Sequence, residues 1–240
     1  MATLVVPLGT ESKFNNDELK ILLRSIDVNA RNVGRVVVAT MAPPKWLRNV
    51  EIIPIPDTLR HNKDGNIITK LVEAIKVAEI QGTVVWSCDD HVLLKPMDFE
   101  KLPTVFNRHK RSDFANSSNT WYKRMIRTFD FLASRGIRLE CNYDSHTFQA
   151  FDAAEILRVL QGVDYAVEHA GYNINTLLKG LVGVSGGVVE QDSFKTTHES
   201  DASGQAPMDR PYVGYNDNAF SHGLRERLFN MFPEKSRYEE

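Results

Sequence analysis

Thr83-Val84-Val85-Trp86-Ser87-Cys88-Asp89-Asp90-His91 runs an apolar segment with no polar face straight into two adjacent carboxylates and an imidazole. A strand without polar alternation needs cover on both faces, as strands of parallel sheets do. Upstream, Asn66 to Ile80 carries Ile67, Leu71, Ile75 and Ala78 at helical spacing. Thr3 to Leu8 reads as another buried strand, ending at Pro7-Leu8-Gly9. Asn16 to Val28 follows as a helix through Leu19, Leu22, Leu23 and Ile26, with Asn15 or Asn16 as its cap. Arg35 to Thr40 and Val50 to Ile55 complete the set of strands, each stopped by prolines. Buried strands alternating with helices predict an α/β fold with an open, mostly parallel mixed sheet flanked by helices. Ligands of such sheets bind beyond the carboxyl ends of the strands, which sets Pro7-Leu8-Gly9 and Asp89-Asp90-His91 on one rim.

The second half is less regular. Ser117 to Arg135 reads as a helix with a basic, aromatic face (Trp121, Tyr122, Lys123, Arg124, Arg127). Asp152 to Leu160 and Tyr172 to Leu178 are shorter helices, and Val182 to Val189 is a strand broken at Gly183, Gly186 and Gly187. Thr196 to Pro211 reads as a polar loop and Asn218 to Phe232 as a last helix. Nothing marks a domain boundary, so one unit spanning 1–240 is expected.

The 240 residues balance 29 Lys and Arg against 31 Asp and Glu, which leaves no global field for nucleic acid or anionic lipid. Cys88 and Cys141 are too few for a disulfide framework and suit a reduced, cytoplasmic setting. No basic leader opens the sequence and no apolar stretch reaches the length of a membrane span.

Two carboxylates side by side at a strand end repel each other unless a cation compensates them. A divalent metal there would bridge to a diphosphate, with Asp90 and His91 as ligands and His198 as a third from a closing loop. An ordinary acidic turn is the competing reading. Arg60, His61, Asn62, Lys63 and Asp64 precede a helix and suit an anion, or else form a solvated turn capped by Asp64. Asp144 and His146, in Tyr143-Asp144-Ser145-His146, pair a carboxylate with an imidazole that would serve as a general base. Cys88 reads as a small buried filler.

Several segments, in order, resemble the bacterial and phage glycosyltransferases related to the Stealth capsule-type enzymes. They are Val5-Val6-Pro7-Leu8-Gly9, Glu18-Leu19, Leu23-Arg24-Ser25-Ile26, Pro44-Lys45-Trp46-Leu47, the Asn62-Lys63-Asp64 helix start and Asp89-Asp90-His91. Tyr143-Asp144-Ser145-His146-Thr147 is similar to a D-x-H-x-P element, with Phe148 in the place of proline. Phe232-Pro233-Glu234-Lys235-Ser236-Arg237-Tyr238-Glu239 resembles the family's closing motif. The acidic motif is D-D-H rather than D-x-D.

The resemblance implies a GT-A-like (Rossmann-like) fold, with a nucleotide-sugar-binding half over 1–110 and an acceptor-binding half over 111–240. It implies a hexosyl- or pentosyltransferase of a bacterial or phage-infected cell. The cofactors would be Mn²⁺ or Mg²⁺ and a nucleotide-sugar, UDP-linked by default. Pro7, Leu8 and Gly9 would line the nucleotide pocket, and Arg60, Asn62 and Lys63 would approach the diphosphate or sugar. Asp90, with Asp89 and His91, would take the metal position, and Asp144 and His146 would face the acceptor. A glycan or polysaccharide is the expected acceptor. A hydroxymethylated base in DNA is the rival, with His109-Lys110-Arg111 and the Trp121–Arg127 face on phosphates. A non-catalytic nucleotide-binding module is the reading from a different class.

Overall fold

Because Leu4-Val5-Val6 has no polar face, both sides of its strand must be roofed, and a helix lies on each. The computed structural model describes residues 1–10, 12–114, 119–168, 171–189, 195–196 and 208–240, with the side chains of 195, 196 and 222 left aside. In chain order the first half holds β1 (Ala2–Pro7), α1 (Asp17–Asn29), β2 (Ala30–Arg31), β3 (Val33–Ala39), β4 (Glu51–Ile53), α2 (Lys63–Val77) and β5 (Thr83–Trp86). Then come β6 (His91–Leu93), β7 (Met97–Asp98), β8 (Val105–Phe106), α3 (Thr120–Ser134), β9 (Gln149–Asp152), α4 (Ala153–Val159) and α5 (Ile174–Val182). The chain closes with β10 (Val188–Val189), β11 (Lys195–Thr196), β12 (Tyr212–Tyr215), α6 (Asp217–Ala219), a π-helical turn (Phe220–Leu224) and α7 (Arg225–Met231).

The central sheet has the order β4-β3-β1-β5-β9, parallel except for the antiparallel edge strand β9. The expected α/β architecture with a mostly parallel mixed sheet flanked by helices is present. Leu4, Val6, Val36 and Val38 pack against Leu19, Leu22, Leu23 and Ile26 of α1. On the opposite face, Val5, Val37, Val84 and Trp86 meet Ile68, Leu71 and Ile75 of α2. The same cluster takes in Phe151, Ile156, Leu177 and Leu178, so one core joins residues from both sides of position 110. Each fully buried Val or Leu in these layers contributes about 1.5–3 kcal/mol.

A smaller sheet, β11-β12-β6, stands beside the acidic turn and sets Gly214 opposite His91. A β-carbon on Gly214 would come within 2.9 Å of the His146 β-carbon, so only glycine lets these two segments meet. Phe220, Leu224, Leu228 and Phe232 cover this sheet. The C-terminal segment is clasped to the rest of the protein. Arg24 makes two 2.8 Å bonds to Glu239 and donates to the Phe232 carbonyl, while the Glu240 amide donates to the Trp46 carbonyl. The closing motif is therefore structural in its contacts.

Some elements differ from the sequence reading. Helix α2 starts at Lys63 rather than Asn66, and Asn62, not Asp64, is its cap. The expected Val182–Val189 strand is mostly something else: α5 continues to Val182 and stops at Gly183, whose φ of 82° is left-handed, leaving Val188–Val189 to pair with β8. The expected Tyr172–Leu178 helix is thus shifted to Ile174–Val182. Strand β9, unforeseen, is a sheet edge of four residues. The interior of the expected Thr196–Pro211 loop lies outside the described residues. Among the described residues no helix is long and apolar enough to cross a membrane.

Candidate active site

Beyond the carboxyl ends of β1, β4 and β5 lies a groove of three cavities, of about 190, 350 and 670 Å³. Lys63 and Ile67, on the first turns of α2, border all three. The strands end here because Pro7 and Gly9 break β1 and the acidic turn breaks β5.

The outer cavity is bordered by Pro7, Gly9, Asp57, Arg60, Lys63 and Lys70. Leu8 is not among its lining, because its side chain is buried in the α1 core. Its carbonyl instead accepts a 2.7 Å bond from the Lys70 ammonium, which also pairs with Asp57 at 2.7 Å. Lys70 is 2% exposed, a buried cation that holds two rim loops together. Asn62 is likewise spent on structure rather than on a ligand. Its Oδ1 accepts from the Gly65 amide at 2.9 Å, and its Nδ2 donates to the Tyr165 and Val167 carbonyls. Gly65 and Gly171 leave the space it fills, since a β-carbon at either would lie within 2.5 Å of it.

The acidic turn borders the 350 Å³ cavity with Glu18, Lys63, Asp89, Asp90 and Tyr215. Ser87 Oγ lies 3.1 Å from His91 Nδ1, which leaves His91 Nε2 toward Asp90 Oδ1 at 3.6 Å. Asp90 Oδ1 is buried and makes no hydrogen bond among the described residues. One donor atom each from Cys88, Asp90 and His91 lie within 4.8 Å of one another. Cys88 packs against the core, as a small filler would, and it also borders both larger cavities with its thiol in this cluster. The imidazole suits Mn²⁺ better than Mg²⁺, while the sulfur of Cys88, a softer donor, suits a zinc-like ion better than either. Asp89 stands outside the cluster. Burial pushes its carboxyl up to about 7, with Asp90 adding and Lys63 opposing. The Lys63 ammonium is held above its ordinary range by the Cys88 sulfur, then by Asp90, Asp89 and Asp64. His198 lies outside the described residues.

The 670 Å³ cavity brings Asp90 and His91 into one space with Asp144 and His146. Asp144 Oδ2 accepts a short hydrogen bond from the Trp121 indole, and its backbone amide donates to Asn142 Oδ1 at 3.0 Å. The His91 and His146 rings are 6.1 Å apart, edge to face. Phe148, where proline is usual in the resembled family, is buried against Phe99 and lies edge-on to His91. Asp64 pairs with Arg124 at 2.8 Å, and burial pushes its carboxyl up to about 6 against the pull of that guanidinium.

Tyr215, Trp86 and Asn175 also line the groove, unselected in the sequence, and so does Arg124, which the sequence placed on the basic face of α3. Each carries a buried polar atom with no hydrogen-bond partner among the described residues: Tyr215 OH, Trp86 Nε1, Asn175 Oδ1 and Arg124 Nε. Such atoms are rare in folded proteins and call for water or a ligand. The basic segments are differently placed. Arg111 pairs with Asp130, Lys110 with Glu140 and Arg124 with Asp64, while Arg127 lies over the Tyr172 ring. Trp121 and Tyr122 pack on Phe114 rather than forming a free stacking face.

No protein-family model matches the chain, and no curated protein matches it.

Proposed function

We propose that this protein is a metal-assisted glycosyltransferase that moves a sugar from a nucleotide-sugar to a hydroxyl of a glycan or polysaccharide. One observation carries the reading. A single groove at the carboxyl rim of the sheet holds the Cys88–Asp90–His91 cluster and Lys63 at its middle and the Asp144 carboxylate farther in.

The charge of the groove supports a metal requirement. Asp57 is matched by Lys70 and Asp217 by Lys13, which leaves Glu18, Asp89 and Asp90 facing Lys63. A diphosphate entering that field is repelled unless a cation comes with it. Asp90 and His91, with Cys88 beside them, would hold a divalent ion, which would supply that compensation and stabilise negative charge on a leaving phosphate. Lys63 adds a fixed positive charge from the start of α2. Asp144, held by the Trp121 indole, takes the proton of the acceptor hydroxyl. The hydroxyl oxygen then bonds to the anomeric carbon as the bond from that carbon to the phosphate oxygen breaks. His146, on the same wall, orients the acceptor.

A glycan is favoured over DNA because the cations of 109–111 and α3 are largely engaged by acids or rings. The test is a thermal-shift panel of UDP-, GDP-, CMP- and dTDP-sugars, with and without Mn²⁺. One donor should raise the melting temperature only with metal present. No shift from any donor would turn the reading toward a non-catalytic module. A DNA acceptor would betray itself by binding that weakens steeply with salt.

A further inference from the structure

Asn175 and Trp86 stand about ninety positions apart and line the same 670 Å³ cavity. Asn175 is 3% exposed and Trp86 is 4% exposed. The Asn175 amide donates through Nδ2 to the Ser145 carbonyl at 3.4 Å, which fixes which end of the amide is which and leaves Oδ1 without a partner among the described residues. Trp86 Nε1 is a donor without a partner among the described residues. Leaving each unsatisfied costs about 1–3 kcal/mol, and both residues border the cavity.

Both residues are held rigidly. Trp86 ends β5 between Val5 of β1 and Gln149 of β9. Asn175 sits in the first turn of α5, where the Asn173 side chain caps the Thr176 amide at 2.9 Å. Thr176 Oγ1 in turn accepts from the Tyr143 amide at 3.1 Å, locking α5 to the segment that carries Asp144. An acceptor and a donor fixed on the walls of one cavity match a ligand that both gives and takes hydrogen bonds. Hydroxyl groups do both. The nearby cation Arg124 is matched by Asp64, so an anion gains little at this end.

We infer that Asn175 and Trp86 form a hydroxyl-reading subsite, Asn175 Oδ1 accepting from and Trp86 Nε1 donating to the hydroxyls of an uncharged sugar ring. The inference rests on the transferase reading for the ligand being a sugar. The ring belongs either to the donor or to the acceptor, and the experiment separates the two.

The chain has three tryptophans, so the indole ¹H–¹⁵N resonances form a compact reporter. Trp46, outside the groove against Lys20, is the internal control. Methyl glycosides of common hexoses and pentoses are titrated alone, and UDP-, GDP-, CMP- and dTDP-sugars and their bare nucleotides are titrated with Mn²⁺. The Trp86 resonance, assigned by Trp86→Phe, should move saturably while Trp46 stays still. Movement by a glycoside alone assigns the ring to the acceptor. Movement by a nucleotide-sugar but not by its nucleotide assigns it to the donor. Asn175→Leu should weaken that sugar by at least about 10-fold. If Asn175→Leu fails to fold, Trp86→Phe, which keeps a ring in the core, should weaken it similarly. A Trp86 resonance unmoved by every sugar, or variants that bind as the wild type does, would overturn the subsite. A metal-dependent thermal shift with Trp86 unmoved removes the subsite and leaves the transferase. A glycoside response with no response to any nucleotide keeps the subsite and removes the transferase.

Discussion

Asp90 and Asp144 differ in their surroundings, and the difference predicts what each substitution does. Asp90 has a buried oxygen with no hydrogen bond among the described residues and stands in a cluster that could hold a metal, so Asp90→Asn should abolish metal-dependent stabilisation by the donor while leaving the melting temperature of the unliganded protein nearly unchanged. Donor affinity equal to wild type would remove the metal assignment. Asp144 already has a donor in the Trp121 indole and lies outside the Cys88–Asp90–His91 cluster. Asp144→Asn should keep donor binding and slow transfer by about 10²-fold or more; turnover at the wild-type rate would show that another group is the base. At this scale the sequence was readable where the site is contiguous. Asp89-Asp90-His91 follows a strand whose end is a known ligand position, and Asp144-x-His146 is equally local. Cys88 packs against the core as the sequence suggested, and its thiol also stands beside Asp90 and His91, which a lone cysteine next to a strand does not reveal. Tyr215, Trp86 and Asn175 carried no local signal, since their role depends on sheet register and on how α5 docks.

Among the elements, the start of α2 borders all three cavities, and the C-terminal clasp ties the end of the chain to α1. Asn62 joins the start of α2 to the 165–167 segment through three hydrogen bonds from a fully buried side chain. Asn62→Ala should cost about 1–3 kcal/mol, read as a lower urea midpoint, and donor affinity per folded molecule should hold. A direct ligand role would reverse that pattern. Arg24 and Glu239 are half-buried partners, so Arg24→Met removes charge-assisted bonds and should cost about 1.5–3 kcal/mol in the same measurement. Burial works to raise the Glu239 carboxyl, but its bonds to Arg24 and Ser236 outweigh that and hold it below the usual range. Its contribution is therefore present above the ordinary carboxylate range and is lost as pH falls through the depressed value. Helical periodicity revealed the bodies of α1 and α2. It could not place the first turn of α2, because Asn62 sits in a charged run that reads as a solvated turn. Four-residue β9 was illegible for a related reason: Gln149-Ala150-Phe151-Asp152 becomes a strand only because β5 offers it an edge.

In the molecule as a whole, the core cluster on the α2 face of the sheet takes residues from both sides of position 110, so thermal unfolding should be a single transition with calorimetric and van't Hoff enthalpies in agreement. Two separate transitions would mean that the halves fold independently. Its pH profile should carry the mark of Lys179, a buried ammonium bonded to the Ala150 carbonyl at 2.9 Å and pushed down to about 8 by burial. The unfolded chain keeps that proton up to about 10.5, so between these values the unfolded state binds more protons and stability rises with pH. The rise is at most about 3 kcal/mol. Tyr143, Tyr165, Tyr215 and Tyr238 are all held above the ordinary tyrosine value by burial, so stability should fall again above about pH 10 as the unfolded chain ionises its phenols. The difference in urea midpoint between the wild type and Lys179→Met should shift in favour of the wild type between about pH 8 and 10, and a difference that stays constant would remove Lys179 as its source.

The antiparallel pairing of β9 with β5 also bears on how the gene can be cut. A fragment ending near residue 110 keeps β1, β3, β4 and β5 but loses the strand that covers the outer side of β5. Its unpaired amides and carbonyls would sit beside the bared side chains of Val84 and Trp86, a ready template for recruiting another copy. Such a fragment should be recovered as oligomers or inclusion bodies. Chimeras that exchange the two halves will succeed only if the incoming half brings a strand that zips onto β5 in the same register.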